Sequence, residues 1–172
     1  MRGFIIGLIV GIVLLPAAAY LYIWFGYAPV ATAAPPLPLE RMLTSLALHA
    51  KIAKEAPKDS PVPATEPNLL AGAKLYREYC AVCHGTSAEP RTATAKGMFP
   101  RPPPLFEGTG VTDDPIGETY WKAANGIRLT GMPAYAGSLS TEQLWQVSQL
   151  LANADKLPQS VQGLLEQPAP AH

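Results

Sequence analysis

The chain has 172 residues, 48% of them hydrophobic, with 13 Lys and Arg balanced by 13 Asp and Glu. This length admits one ordinary domain plus extra segments, and a formal charge of zero gives no global pull toward nucleic acid or an anionic surface. Two cysteines cannot build the multiple-disulfide framework of a small secreted scaffold, while 19 clustered prolines point to linkers or a loop-rich domain.

From Phe4 to Phe25 no residue is charged, and the only cation before this stretch is Arg2. At a rise of about 1.5 Å per residue, 22 residues cross a hydrocarbon core of roughly 30 Å. The expectation is a single transmembrane anchor over 1–25, with a cytoplasmic N-terminus and an exported remainder. A cleaved signal peptide is the rival, with a small-residue site at Ala17-Ala18-Ala19. Cleavage there leaves "YLYIWFGY" as an apolar, aromatic end in water, whereas the same rings suit the outer interface of an uncleaved span. Gly3, Gly7 and Gly11 fall on one helix face, a pattern that admits a close neighbouring helix and is also common in spans generally.

Residues 26–65 read as a proline-rich connector interrupted by a short amphipathic helix over 39–56. Leu39, Met42, Leu43, Leu46 and Ile52 recur there at roughly helical spacing. This helix suits docking on the domain, on a partner or at a lipid surface. The compact domain is placed at 66–165, with 166–172 as a tail. Asn68 is the expected cap of its first helix, whose inward face carries Leu69, Gly72, Tyr76 and Tyr79.

That helix runs into "CAVCHG", which holds both cysteines, Cys80 and Cys83, followed directly by His84. A redox Cys-x-x-Cys needs a preceding strand in a βαβ setting, and no strand pattern is present. A structural zinc site needs four ligands, and beyond the cysteines only His84, His49 and His172 remain. Cys-x-x-Cys-His is the attachment signature of c-type haem: two thioethers to the vinyl groups and an imidazole on iron. A proline-rich loop from Gly85 to Pro104 follows, and so long a loop in so small a domain suits packing around a prosthetic group.

Two further helices are expected. One has Asp114 as N-cap, Pro115 in its first turn and Gly126 as its stop. The other opens with a capping box of Ser140 and Gln143 and a staple of Leu139 with Leu144. Between them, "GIRLTGMPAYAG" presents Met132 in a glycine- and proline-flanked loop, a soft thioether suited to the second axial position of iron. Met98, only 14 positions from His84, is read instead as an apolar contact at the haem edge.

"CAVCHG", the "PPPL" of 102–105, "TGMPAYAG" and the last helix with Trp145 together resemble a class I c-type cytochrome over residues 66–155. The resemblance implies an all-α fold, with three main helices around one covalently bound haem c, preceded here by the transmembrane helix. It implies that a proline carbonyl, Pro103 by position, accepts the Nδ1–H of His84, and that Leu105 packs on the haem face. The crossed first and last helices then correspond to the Gly72/Tyr76 face meeting Trp145. Trp121 and Arg128 are candidates for hydrogen bonds to the propionates, and Tyr135 with "PPPLF" for shielding the haem. His84 and Met132 are the expected iron ligands.

With both axial positions filled, iron exchanges electrons without binding substrate, and no acid–base pair or nucleophile suggests turnover. The expected function is one-electron transfer between respiratory or dehydrogenase partners on the periplasmic side of the inner membrane. A fixed subunit of a larger membrane complex is the alternative, with a haem sensor or peroxidase if Met132 is no ligand. From Glu66 onward eight Lys and Arg face ten Asp and Glu, so docking through a strongly basic face is not implied.

Overall fold

The computed structural model describes residues 2–167. Among the described residues eight helices follow in order: α1 (Arg2–Trp24), α2 (Glu40–Glu55), α3 (Glu66–Tyr79), α4 (Ala81–His84), α5 (Ala93–Lys96), α6 (Ile116–Asn125), α7 (Thr141–Ala152) and α8 (Gln159–Leu165). Among the described residues there is no strand, so the fold is all-α. The chain divides into a first unit ending at Arg41 and a second beginning at Met42.

The first unit is dominated by α1, a 23-residue helix long and apolar enough to cross a membrane, with no buried residue. Nothing lies within 4 Å of where a Cβ on Gly3, Gly7 or Gly11 would sit, so that face is open. Tyr20 and Trp24 stack at 5.9 Å near its end.

In the second unit α3 packs on α7 and α8, and α7 also packs on α6. The crossing of α3 and α7 is set by a glycine: a Cβ on Gly72 would lie 2.2 Å from the Gln146 carbonyl oxygen and 3.2 Å from Leu150 Cβ. The two backbones therefore approach as only a residue without a side chain permits. Around this crossing Leu69, Ala73, Tyr76, Val147, Leu150, Leu151, Val161 and Leu165 form one buried cluster. Each large apolar side chain buried there contributes roughly 1.5–3 kcal/mol relative to exposure. Trp145 does not supply the large partner to Gly72; its ring stacks on Tyr120 at 4.1 Å with planes 16° apart.

Several local expectations change. Asn68 is not the cap of α3, which starts two residues earlier behind Thr65; its Nδ2 instead donates to the Pro63 carbonyl at 3.0 Å. Asp114 is not the cap of α6 either. Pro115 occupies that position, and the Asp114 carboxylate pairs with Lys122 at 3.6 Å. α7 does carry the full capping box, Gln143 N–H to Ser140 Oγ and Ser140 N–H back to Gln143 Oε1. α8 is an addition to the expected helices: Val161, Leu164 and Leu165 sit at helical spacing, and its buried residues close the core.

The segment before α3 is packed rather than free. Ile52 of α2 is 1% exposed, and Val62 is buried with its carbonyl accepting from Gln149 Nε2. A Cβ on Gly117 would lie 1.6 Å from the Pro57 carbonyl oxygen, so the chain leaving α2 is pressed directly onto the first turn of α6. Residues from Met42 to the start of α3 thus share one compact unit with the helices that follow. The N-terminal half of α2 shows Met42, Leu43 and Leu46 to solvent.

Candidate haem-attachment site

α3 ends where Cys80 N–H reaches the Tyr76 carbonyl at 2.8 Å, and α4 restarts the helix at the next residue. Cys83 N–H and His84 N–H both bond the Cys80 carbonyl, at 3.1 and 2.9 Å. Residues three apart on such a turn share a face, so Cys80 and Cys83 stand one turn apart with His84 beside them. Both thiols are free and partly buried. Burial first, and the neighbouring Cys83 second, push the Cys80 thiol up to about 12, which keeps it protonated at neutral pH.

Behind the motif the chain reverses tightly. Tyr76, fully buried, donates its hydroxyl to the Gly85 carbonyl at 2.6 Å. Gly85 has φ +73°, and a Cβ there would meet the Glu89 carbonyl oxygen at 2.8 Å and Arg91 N at 3.1 Å. Thr92 Oγ1 then donates to the Val82 carbonyl at 2.9 Å, tying the returning chain to α4.

The His84 ring lies with Nδ1 2.8 Å from the Pro103 carbonyl oxygen. A carbonyl only accepts, so Nδ1 carries the proton and Nε2 keeps its lone pair. Burial holds the imidazole below its ordinary range; the Pro103 bond opposes this and the Arg91 charge adds to it. A neutral ring with a free Nε2 is the form that binds a metal.

Met132 sits in a loop hinged on α6. Tyr135 and Ala136 N–H bond the Ala123 and Ala124 carbonyls at 3.0 and 3.2 Å, and Thr130 Oγ1 accepts from Met132 N–H at 3.1 Å. Gly126, at φ +65°, admits this loop: a Cβ would be 2.8 Å from the Met132 carbonyl oxygen. Met98 lies against the same loop, its Sδ 2.7 Å from the position of a Cβ on Gly131. This contact joins segments 33 positions apart, and no sequence signal pairs Met98 with Gly131.

The other candidates separate. Leu105 and Phe106 are partly buried against the core, and the Phe106 ring meets Tyr76 edge-on at 5.0 Å. Tyr135 donates its hydroxyl to the Tyr79 carbonyl at 2.8 Å. Trp121, the candidate propionate partner, donates its Nε1–H to Glu55 Oε2 of α2 at 3.2 Å. Arg128 is exposed, beside the outward-turned Leu129. No sequence signal pairs Trp121 with Glu55.

The donor set fits c-type haem: two thiols on one helical turn and a neutral imidazole with Nε2 available. A zinc cluster lacks ligands, since among the described residues no three His, Cys, Asp or Glu side chains gather. His49 is exposed on α2, and His172 lies outside the described residues.

Residues 67–151 match the family described as cytochrome C oxidase, cbb3-type, subunit III. No curated protein matches the chain. Among solved structures, one similar chain is from the Kuenenia stuttgartiensis reducing HAO-like protein complex Kustc0457/Kustc0458. It is 24% identical, with a TM-score of 0.49, over 58% of this chain and 49% of that one. The chain thus spans about half the length of that solved chain.

Proposed function

Because residues 67–151 make this chain a c-type cytochrome, we propose that it is a membrane-tethered, monohaem carrier passing single electrons between redox partners outside the cytoplasm. One observation carries the reading. The imidazole that follows Cys80 and Cys83 already has Nδ1 committed to Pro103, leaving Nε2 as its metal-binding atom.

When bound, the haem supplies one-electron cycling between Fe(III) and Fe(II). Cys80 and Cys83 would hold it through thioethers. His84 would offer Nε2 to iron, with the Pro103 carbonyl fixing its tautomer and strengthening it as a donor. Met132 would offer a thioether as the second ligand, which favours Fe(II) relative to a second histidine. Leu105, Phe106 and Tyr135 keep water away, which further disfavours the extra charge of Fe(III). Trp121 donates to Glu55, and the exposed Arg128 is the remaining candidate for a propionate.

α1 is the proposed single-pass anchor, placing the haem domain on the periplasmic face of an inner membrane. A tether raises the effective concentration of the domain toward partners in that membrane. A second reading makes the chain a fixed subunit of a membrane complex. It is favoured by the exposed Met42, Leu43 and Leu46 of α2, and the matched family's description names an oxidase subunit.

Extraction of membranes in mild detergent followed by native mass measurement separates the two readings. A lone chain carrying one haem supports the carrier; a defined larger assembly supports the subunit. Haem staining after denaturing electrophoresis tests the common premise, because covalently held haem survives it. Stain absent from wild type, or retained in the Cys80→Ala/Cys83→Ala double variant, overturns both.

A further inference from the structure

The segment that carries Pro103 has an unusual difficulty. Pro102, Pro103 and Pro104 possess no N–H, so none of the three donates a backbone hydrogen bond to fix its place. Their orientation depends on what donates to their carbonyls. Two side chains do so: His84 to Pro103, and Arg91 through Nη1 to Pro102. The first of these is the ring that must itself be held.

Arg91 is suited to be the fixed point. Its backbone nitrogen lies against Gly85, directly behind the attachment motif. The neighbouring Thr92 bonds the Val82 carbonyl within α4 and also caps α5 by accepting from Ala95 N–H at 3.2 Å. Thr86 N–H closes the intervening turn on the Glu89 carbonyl at 2.8 Å. The arginine is therefore anchored to the helix of Cys80, Cys83 and His84, half-buried, and reaches across to the proline run. A guanidinium has a planar, preorganised set of donors suited to gripping a carbonyl.

We propose that Arg91 is a positioning residue for the proximal histidine, clamping the Pro102 carbonyl so that the next carbonyl, that of Pro103, stays on His84 Nδ1. The proposal rests on the haem reading only for its consequence, since the clamp itself needs no more than the His84–Pro103 bond. Its effect is to keep the imidazole in one tautomer and one rotation, so that Nε2 is presented the same way in each oxidation state.

The test is hydrogen exchange of the His84 Nδ1–H in the full-length, haem-loaded, reduced protein, followed by nuclear magnetic resonance beside the backbone amides of α7. In Arg91→Met the His84 proton is expected to exchange about tenfold faster, the scale of one lost hydrogen bond, while α7 amides keep their rates. Arg91→Lys, which retains a donor, is expected to fall between that variant and wild type. If Arg91→Met does not mature, Arg91→Gln, too short to grip Pro102, is read by the same criteria. An unchanged His84 rate overturns the clamp, as does acceleration shared equally by α7, which signifies general loosening. Failure of the ligand reading is seen separately, as a wild-type His84 ring without the large shifts that haem ring current imposes; the exchange ratio still decides the clamp.

Discussion

Gly72 of α3 lies directly on the backbone of Gln146 in α7, with 2.2 Å between the place of a Cβ and the carbonyl oxygen. The obstacle is main chain rather than a mobile side-chain end, so a methyl group there must part the helices. Gly72→Ala is expected to destabilise the domain by about 1–3 kcal/mol, the usual cost of overpacking a core. Thermal unfolding followed by circular dichroism measures it, and a melting temperature equal to wild type refutes the tight crossing.

Met132 and Met98 occupy one neighbourhood, since the Met98 thioether rests on Gly131. The expected ligand is Met132. The ferric methionine-to-iron charge-transfer band should vanish in Met132→Ala and persist in Met98→Leu. The reverse pattern assigns iron to Met98. Absence of the band in wild type points to an open position and a sensor or peroxidase.

Tyr76 carries a buried hydroxyl whose bond to Gly85 secures the turn behind the haem motif. Burial, then the nearby Cys80, holds this phenol far above its ordinary range, so it remains a donor at every pH the protein meets. Tyr76→Phe leaves the Gly85 carbonyl buried without that donor, and the expected loss is about 1–3 kcal/mol. Chemical denaturation gives the value; a loss below about 0.5 kcal/mol contradicts the bond.

Glu55 joins α2 to α6 by accepting from Trp121 while also holding Lys51. The Lys51 bond holds its carboxyl below the ordinary value of 4.5; desolvation opposes this, and the Trp121 bond adds to the lowering. A depressed carboxylate contributes stability that is present above 4.5 and lost as pH falls through the folded value. Glu55→Gln should therefore melt below wild type at pH 7, and the difference should close on acidification below 4.5. Differential scanning calorimetry across that range checks it, and a gap that widens in acid refutes the assignment.

The features legible in the sequence were those whose partners lie close along the chain. Ser140 and Gln143 are three residues apart, and their reciprocal bonds are present. Cys80, Cys83 and His84 lie on one turn and its extension, and their chemistry follows from that spacing. Asn68 resembles a cap because any amide before an apolar run does, while Thr65, three residues earlier, starts the helix. Trp121's bond to Glu55 is invisible in the sequence because the two lie 66 positions apart. Hydrophobic periodicity gives a face but no address, so Ile52 looked no different from Met42 or Leu43, and only Ile52 is covered.

That one buried isoleucine shortens the leash on the domain. Between α1 and α2 lie residues 25–39 alone, reaching roughly 50 Å when fully drawn out at about 3.3 Å apiece. Had everything before Glu66 been slack, the radius would roughly double, and the space swept would grow about eightfold, as the cube of distance. With α1 as the proposed anchor, a domain pinned at Ile52 would be confined to this shorter radius, which favours partners in the same sheet of lipid over soluble ones.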